Sequence, residues 1–75
     1  MMKQYDKIAN GKRLKEHRTA AQLSIENAAA DIGISAEDLK AFESGKKNPS
    51  DDLKVILANY YGVSVQILFF PNYVR

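Results

Sequence analysis

Apolar residues recur three and four positions apart along most of this chain, and serines punctuate the recurrence. Such spacing gathers apolar side chains on one face of an α-helix. A first helix is expected from about Asp6 to Ala21, with Ile8, Leu14 and Ala21 on or near one face and Lys12, Arg13, Lys15 and Glu16 outside it. Gly11 should weaken that helix modestly. Four shorter helices follow, each opened by a serine: Ser24 before residues 25–32, Ser35 before 36–43, Ser50 before 51–61 and Ser64 before 65–69. A serine at an N-cap accepts a hydrogen bond from an otherwise orphaned backbone N–H, so it marks where a helix begins. Ser35 and Asp38 have capping-box spacing. Asp51 and Asp52 stand near the positive end of the fourth helix. Gly45 is placed as a C-cap, Pro49 bars continuation, and Gly62 ends the fourth helix. The expected core is Leu14, Leu23, Ala29, Ile32, Leu39, Phe42, Leu53, Leu57, Val63 and Leu68, with Ile56 and Tyr60 on the same stripe as Leu53. Three successive alanines, 28 to 30, let a neighbouring backbone come close.

Gly33 and Ile34 form a tight glycine turn with an apolar plug between the second and third helices. Two short helices joined in this way make a helix-turn-helix, whose usual business is the DNA major groove. The chain has 75 residues, one domain's worth, with no room for a separate effector-binding module. A composition of 45% hydrophobic and 27% charged residues suits a globular protein. There is no cysteine, hence no disulfide framework and no thiolate zinc site. The N-terminal stretch is charged and carries no signal-peptide pattern. No segment approaches the roughly 20 apolar residues of a membrane span, so a cytoplasmic location is expected. One histidine, no phosphate-cradling glycine loop and no paired metal-ligand motif argue against an enzyme, and no cofactor is expected. His17 reads as a packing or surface residue.

Charge changes this picture more by its placement than by its total. The net charge is +2, too small to argue for nucleic acid. Residues 1–18 carry six Lys/Arg against two acids, residues 19–43 one Lys against five acids, and residues 44–75 four against two. The presumptive recognition region is therefore acidic, between basic flanks.

With Arg18, Leu23-Ser24, Gly33-Ile34-Ser35, Glu43-x-Gly45, Asn48-Pro49-Ser50 and Gly62-Val63-Ser64 in register, the chain resembles the phage-repressor and Cro type of helix-turn-helix, the XRE family. The resemblance spans about Ile8 to Phe69. It implies an all-α, compact five-helix lambda-repressor-like domain, double-stranded DNA as partner, a homodimer and a role in transcriptional control. It also implies an ion pair between Arg18 on the first helix and Glu43 near the end of the third. The DNA-contacting positions carry over poorly. Where the family usually has a glutamine at the start of the second helix, this chain has Ile25 after Ser24. The exposed face of the recognition helix corresponds to Ala36, Glu37, Asp38 and Ala41 after Ser35. Major-groove edges are mostly read by Arg or Lys on guanine and Asn or Gln on adenine, although a carboxylate can accept from cytosine N4. For Glu37 and Asp38, helix capping and dipole stabilisation are at least as strong a reading as cytosine recognition. Lys40, Ser44, Lys46, Lys47 and Asn48 are candidate phosphate donors, with Lys12 and Arg13 if they face the duplex.

Phe70, Tyr73 and Val74 in the C-terminal tail are candidates for self-association, or else fold back on the domain's own core. The favoured function is a DNA-binding transcriptional regulator with affinity mainly from phosphate contacts and modest base discrimination. The alternative is a helix-turn-helix used for protein interaction, of antitoxin or antirepressor type, suggested by Ile25 and the acidic third helix.

Overall fold

The serines and glycines divide the chain where the hydrophobic pattern places its breaks. The structure, a computed structural model, describes residues 6–71. These form α1 (Lys7–Ala20), α2 (Ile25–Ile32), α3 (Ala36–Ser44), α4 (Asp51–Tyr61) and α5 (Val65–Phe69). Ser24, Ser35, Ser50 and Ser64 each accept a hydrogen bond from the backbone N–H three residues on, at 3.0 to 3.2 Å. Asp6 does the same service for α1, accepting from the N–H groups of Ile8 and Ala9 at 3.1 Å. Gly33 closes α2 in the left-handed region (φ 92°), and both its N–H and that of Ile34 return to the carbonyl of Ala29. A side chain at that φ would be strained, so glycine is what permits so short a turn into α3.

The core gathers Leu14, Ala28, Ala29, Leu39, Phe42, Leu57, Ala58, Leu68 and Phe69 from all five helices. Leu23, Ile32, Leu53 and Val63 pack against it while only partly buried. Ile8 and Ile56, expected inward, lie outward at 67% and 46% exposure, and Ala21 is exposed at the C-cap of α1. The inner face of α1 is built instead from Asn10, Gly11 and Leu14, and that of α4 from Lys54, Leu57 and Ala58. The departures at Ile8 and Ile56 come from close helix packing, which favours small or amphipathic residues over a bulky apolar stripe.

Gly11 shows this most sharply. A Cβ built on it would lie 2.5 Å from the carbonyl oxygens of both Phe42 and Glu43. The expected cost of this glycine to α1 is therefore only part of its role. It is the point where the backbone of α3 rests on α1, and no other residue type fits there without a shift. Arg13 fixes another seam: its Nε donates to the carbonyl of Leu68 at 2.9 Å, and its Nη2 donates to Asn10 Oδ1. That ties α1 to α5 and engages the part-buried Arg13 guanidinium within the fold. Lys54 is buried to 5% exposure, its ammonium 5.9 and 5.8 Å from the ring centres of Phe69 and Phe70. Phe70 is half-buried and packs on the core. The stem of Lys54 and the end of α5 seat it there. Tyr73 and Val74 lie outside the described residues.

Candidate nucleic-acid interface

A 100° rotation per residue gives α3 two faces. Leu39 and Phe42 point into the core. Glu37, Lys40 and Ser44 are exposed on the opposite side, with half-buried Ala41 beside them. These four residues share a concave groove of about 690 Å³ with Lys15 and Arg18 of α1, Ile25 at the start of α2, and Glu43 and Lys46. The groove therefore runs along the outer ridge of the second helix of the helix-turn-helix, between the elements that flank it.

Charge is redistributed by folding. Arg18 makes a bidentate pair with Glu43, Nε to Oε2 at 2.8 Å and Nη2 to Oε1 at 3.0 Å. Its Nη1 also donates to the carbonyl of Leu23 at 2.8 Å. The side chains are 11% and 6% exposed, so both charges depend on the pair for solvation. The hydrogen bonds that Arg18 donates to Glu43 hold its pKa above the ordinary value against the opposing effect of burial. One guanidinium thus joins α1, α3 and the link into α2. Tyr61 closes the same corner, its ring 5.9 Å from that of His17 and 5.0 Å from that of Tyr60. Burial, with the Glu43 charge adding to it, pushes the Tyr61 phenol up to about 12. Its hydroxyl is buried without a hydrogen-bond partner among the described residues.

On the other flank of α3, Asp38 accepts from Lys47 Nζ at 2.9 Å, and Lys47 lies 5.9 Å from the centre of the Phe42 ring. Asp38 and Lys47 thus share a solvent-exposed ion pair on this flank. Ala36 packs against the core and does not line the groove. Asp31, another acid of the recognition region, accepts from the Tyr60 hydroxyl at 2.8 Å across to α4, which raises the Tyr60 pKa. Of the five acids between residues 19 and 43, only Glu37 and Glu43 line the groove, and Glu43 is already paired. Lys15, Lys40 and Lys46 outnumber Glu37 there. The acidity legible in the sequence is real, but most of it lies elsewhere or is internally matched.

The remaining candidates are arranged more simply. The hydroxyls of Ser24 and Ser35 serve as helix caps. Ser44 Oγ donates to the carbonyl of Ala41 at 3.2 Å. Asn48 is exposed in the loop between α3 and α4 and is not among the groove residues, nor are Lys12, Arg13 and Lys47. Lys15 is the residue that sequence reasoning overlooked. It precedes Arg18 by three positions, one helical turn, so the inference that Arg18 faces α3 already implied that Lys15 borders the same side.

A family model described as a helix-turn-helix domain matches residues 11–67, and the chain belongs to that family, in its phage-repressor and Cro (XRE) type. The chain is 33% identical over 57 residues to the uncharacterized HTH-type transcriptional regulator MJ0272 of Methanocaldococcus jannaschii, covering 76% of this chain and 86% of that protein. It is 39% identical over 56 residues to the uncharacterized HTH-type transcriptional regulator YobD of Bacillus subtilis, 75% of this chain but 50% of the relative. Among solved structures, the restriction-modification controller protein C.AhdI of Aeromonas hydrophila matches with a TM-score of 0.79 and 33% identity, over 85% of this chain and 97% of that one. ComR of Streptococcus suis shares the fold, with a TM-score of 0.78 at 24% identity.

Proposed function

We propose that this protein is a DNA-binding transcriptional regulator that sets the outer ridge of α3 into the major groove of double-stranded DNA. The observation carrying this reading is the groove along that ridge, bordered by Lys15, Lys40 and Lys46 with only Glu37 left unmatched. In this arrangement the three ammonium groups contact phosphates, which supply most of the affinity and make it salt-dependent. Ser44 and the loop residues Lys46 and Asn48 lie at the C-terminal end of the ridge, where it meets the sugar-phosphate backbone. Ile25 forms an apolar wall where a side-chain amide would otherwise reach a phosphate, so phosphate contacts on that side fall to Lys15.

Two copies are needed to span half-sites about 34 Å apart, one turn of DNA. Among the described residues, Val55, Ile56 and Ile67 are the exposed large apolar residues on α4 and α5, with half-buried Phe70 following α5. They suit a homodimer contact on the side formed by those helices. Among the described residues no helix is long and apolar enough to cross a membrane, in keeping with a cytoplasmic regulator. The protein-interaction alternative drew on Ile25 and the acidity of α3; with Asp38 and Glu43 paired, it keeps Ile25 and Glu37 on the groove.

The test is selection of duplexes from a random pool by the purified protein, followed by fluorescence anisotropy across a range of salt. Enrichment of a motif with half-sites one turn apart, and steeply weakening affinity as salt rises, is the expected result. Absence of both would remove the DNA reading and favour a protein partner.

A further inference from the structure

The ridge retains one feature that phosphate binding does not use. Glu37 is exposed, and among the described residues no basic nitrogen lies within ion-pair distance of its carboxylate. The neighbouring Asp38 is paired with Lys47 at 2.9 Å, and Glu43 is held by Arg18 at 2.8 Å. Glu37 therefore stands alone on the wall of the groove, one turn from Lys40 and Ala41. An unpaired carboxylate brought against DNA meets phosphate repulsion unless a base edge gives it a hydrogen bond.

The major groove offers few donors. Guanine presents N7 and O6 and thymine presents O4, all acceptors, which a carboxylate opposes. Adenine presents the N6 amino group beside the acceptor N7. Cytosine presents the N4 amino group with no acceptor beside it on the same base. A carboxylate thus ranks cytosine first, adenine second, and guanine and thymine last.

We infer that Glu37 is a specificity-determining residue that selects a cytosine in each half-site by accepting a hydrogen bond from its N4 amino group. This rests on the DNA reading above and adds to it. The phosphate contacts set affinity, and Glu37 supplies base discrimination at one position. Because the side chain is exposed and makes no hydrogen bond or ion pair among the described residues, replacing it leaves the domain folded.

The experiment is parallel duplex selection with the wild-type protein, Glu37→Gln and Glu37→Ala, followed by anisotropy on duplexes differing only at the enriched position. The wild type should favour cytosine over thymine there by about tenfold, within the range of one good base contact. Glu37→Gln should move the preference to adenine, whose N6 and N7 match an amide. Glu37→Ala should lose the preference while binding random DNA more tightly, since the repulsion is gone. If the wild type selects a motif that Glu37→Gln and Glu37→Ala select unchanged, Glu37 does not read a base and the inference is overturned although DNA binding stands. If the wild type selects no duplex at all, the DNA reading itself fails and takes the inference with it.

Discussion

The inner and outer faces of α3 obey different rules although they share nine residues. On the inner face Leu39 and Phe42 are buried, Glu43 is held by Arg18, and the backbone rests on Gly11. On the outer face Glu37, Lys40 and Ser44 meet solvent and Ala41 is half-covered. Inside, nearly every change in volume or charge should alter stability. Outside, substitutions should leave stability within about 0.5 kcal/mol and act on a partner instead. The lesson is that the same helix serves as a rigid mount and as a variable surface, and that charge counted along the chain mixes the two.

The largest expected effect tests the mount. Truncating Phe42 to Ala should cost about 3–5 kcal/mol, much of the stability of so small a domain. Near wild-type denaturant stability for that variant would mean the inner face is misassigned. Removing Arg18 alone, as Arg18→Met, should cost about 3 kcal/mol by leaving the Glu43 carboxylate buried without its counter-ion. The double variant with Glu43→Gln should lose less than the two single losses added together. A cycle without coupling would show that the pair holds nothing.

Gly11→Ala sharpens the comparison because two principles predict opposite signs. Helix propensity alone favours Ala by about 1 kcal/mol. The contact with the Phe42 and Glu43 carbonyls predicts instead a net loss of about 2 kcal/mol, as for other overpacked sites. Urea denaturation reads the sign directly, and a stabilised variant would mean that α1 and α3 do not approach so closely. Tyr61→Phe is the smallest expected change, a gain of up to about 1 kcal/mol from deleting a buried, unbonded hydroxyl. Its pH signature is also specific. The folded phenol holds its proton up to about pH 12, above the unfolded value of 10.0. The resulting contribution is complete below about pH 10 and disappears as pH rises through 12. Tyr61→Phe should flatten that alkaline decline, and an unchanged profile would assign the decline to other groups.

How much of this was legible in the sequence follows from the same division. The five helices could be read from four serines, three glycines and the periodic apolar residues, since caps and turns are local chemistry. The seam between α1 and α3 was half legible. Arg18 and Glu43 were expected to meet, but neither the close approach at Gly11 nor the hydrogen bond of Arg13 to α5 follows from any local pattern. Ile8 and Ile56 were assigned inward because periodicity fixes a stripe and not its rotation toward neighbours. The groove was the least legible part. Asp38 pairs with Lys47 nine residues away, and Lys15 comes from another helix. Only the folded arrangement reveals that the apparent acidity of α3 reduces to one carboxylate on its outer ridge.

The central claim is that this outer ridge and its lysines grip DNA while adding nothing to the fold. The most direct measurement is the salt dependence of duplex binding for wild type, Lys40→Ala and Lys46→Ala, made alongside denaturant unfolding of the same samples. Each substitution should weaken binding to every duplex and lower the salt slope by about one unit, the signature of one lost phosphate contact, with stability unchanged. Unaltered slopes and affinities in both variants, with the wild type still binding, would place the DNA on another face of the molecule and contradict the account.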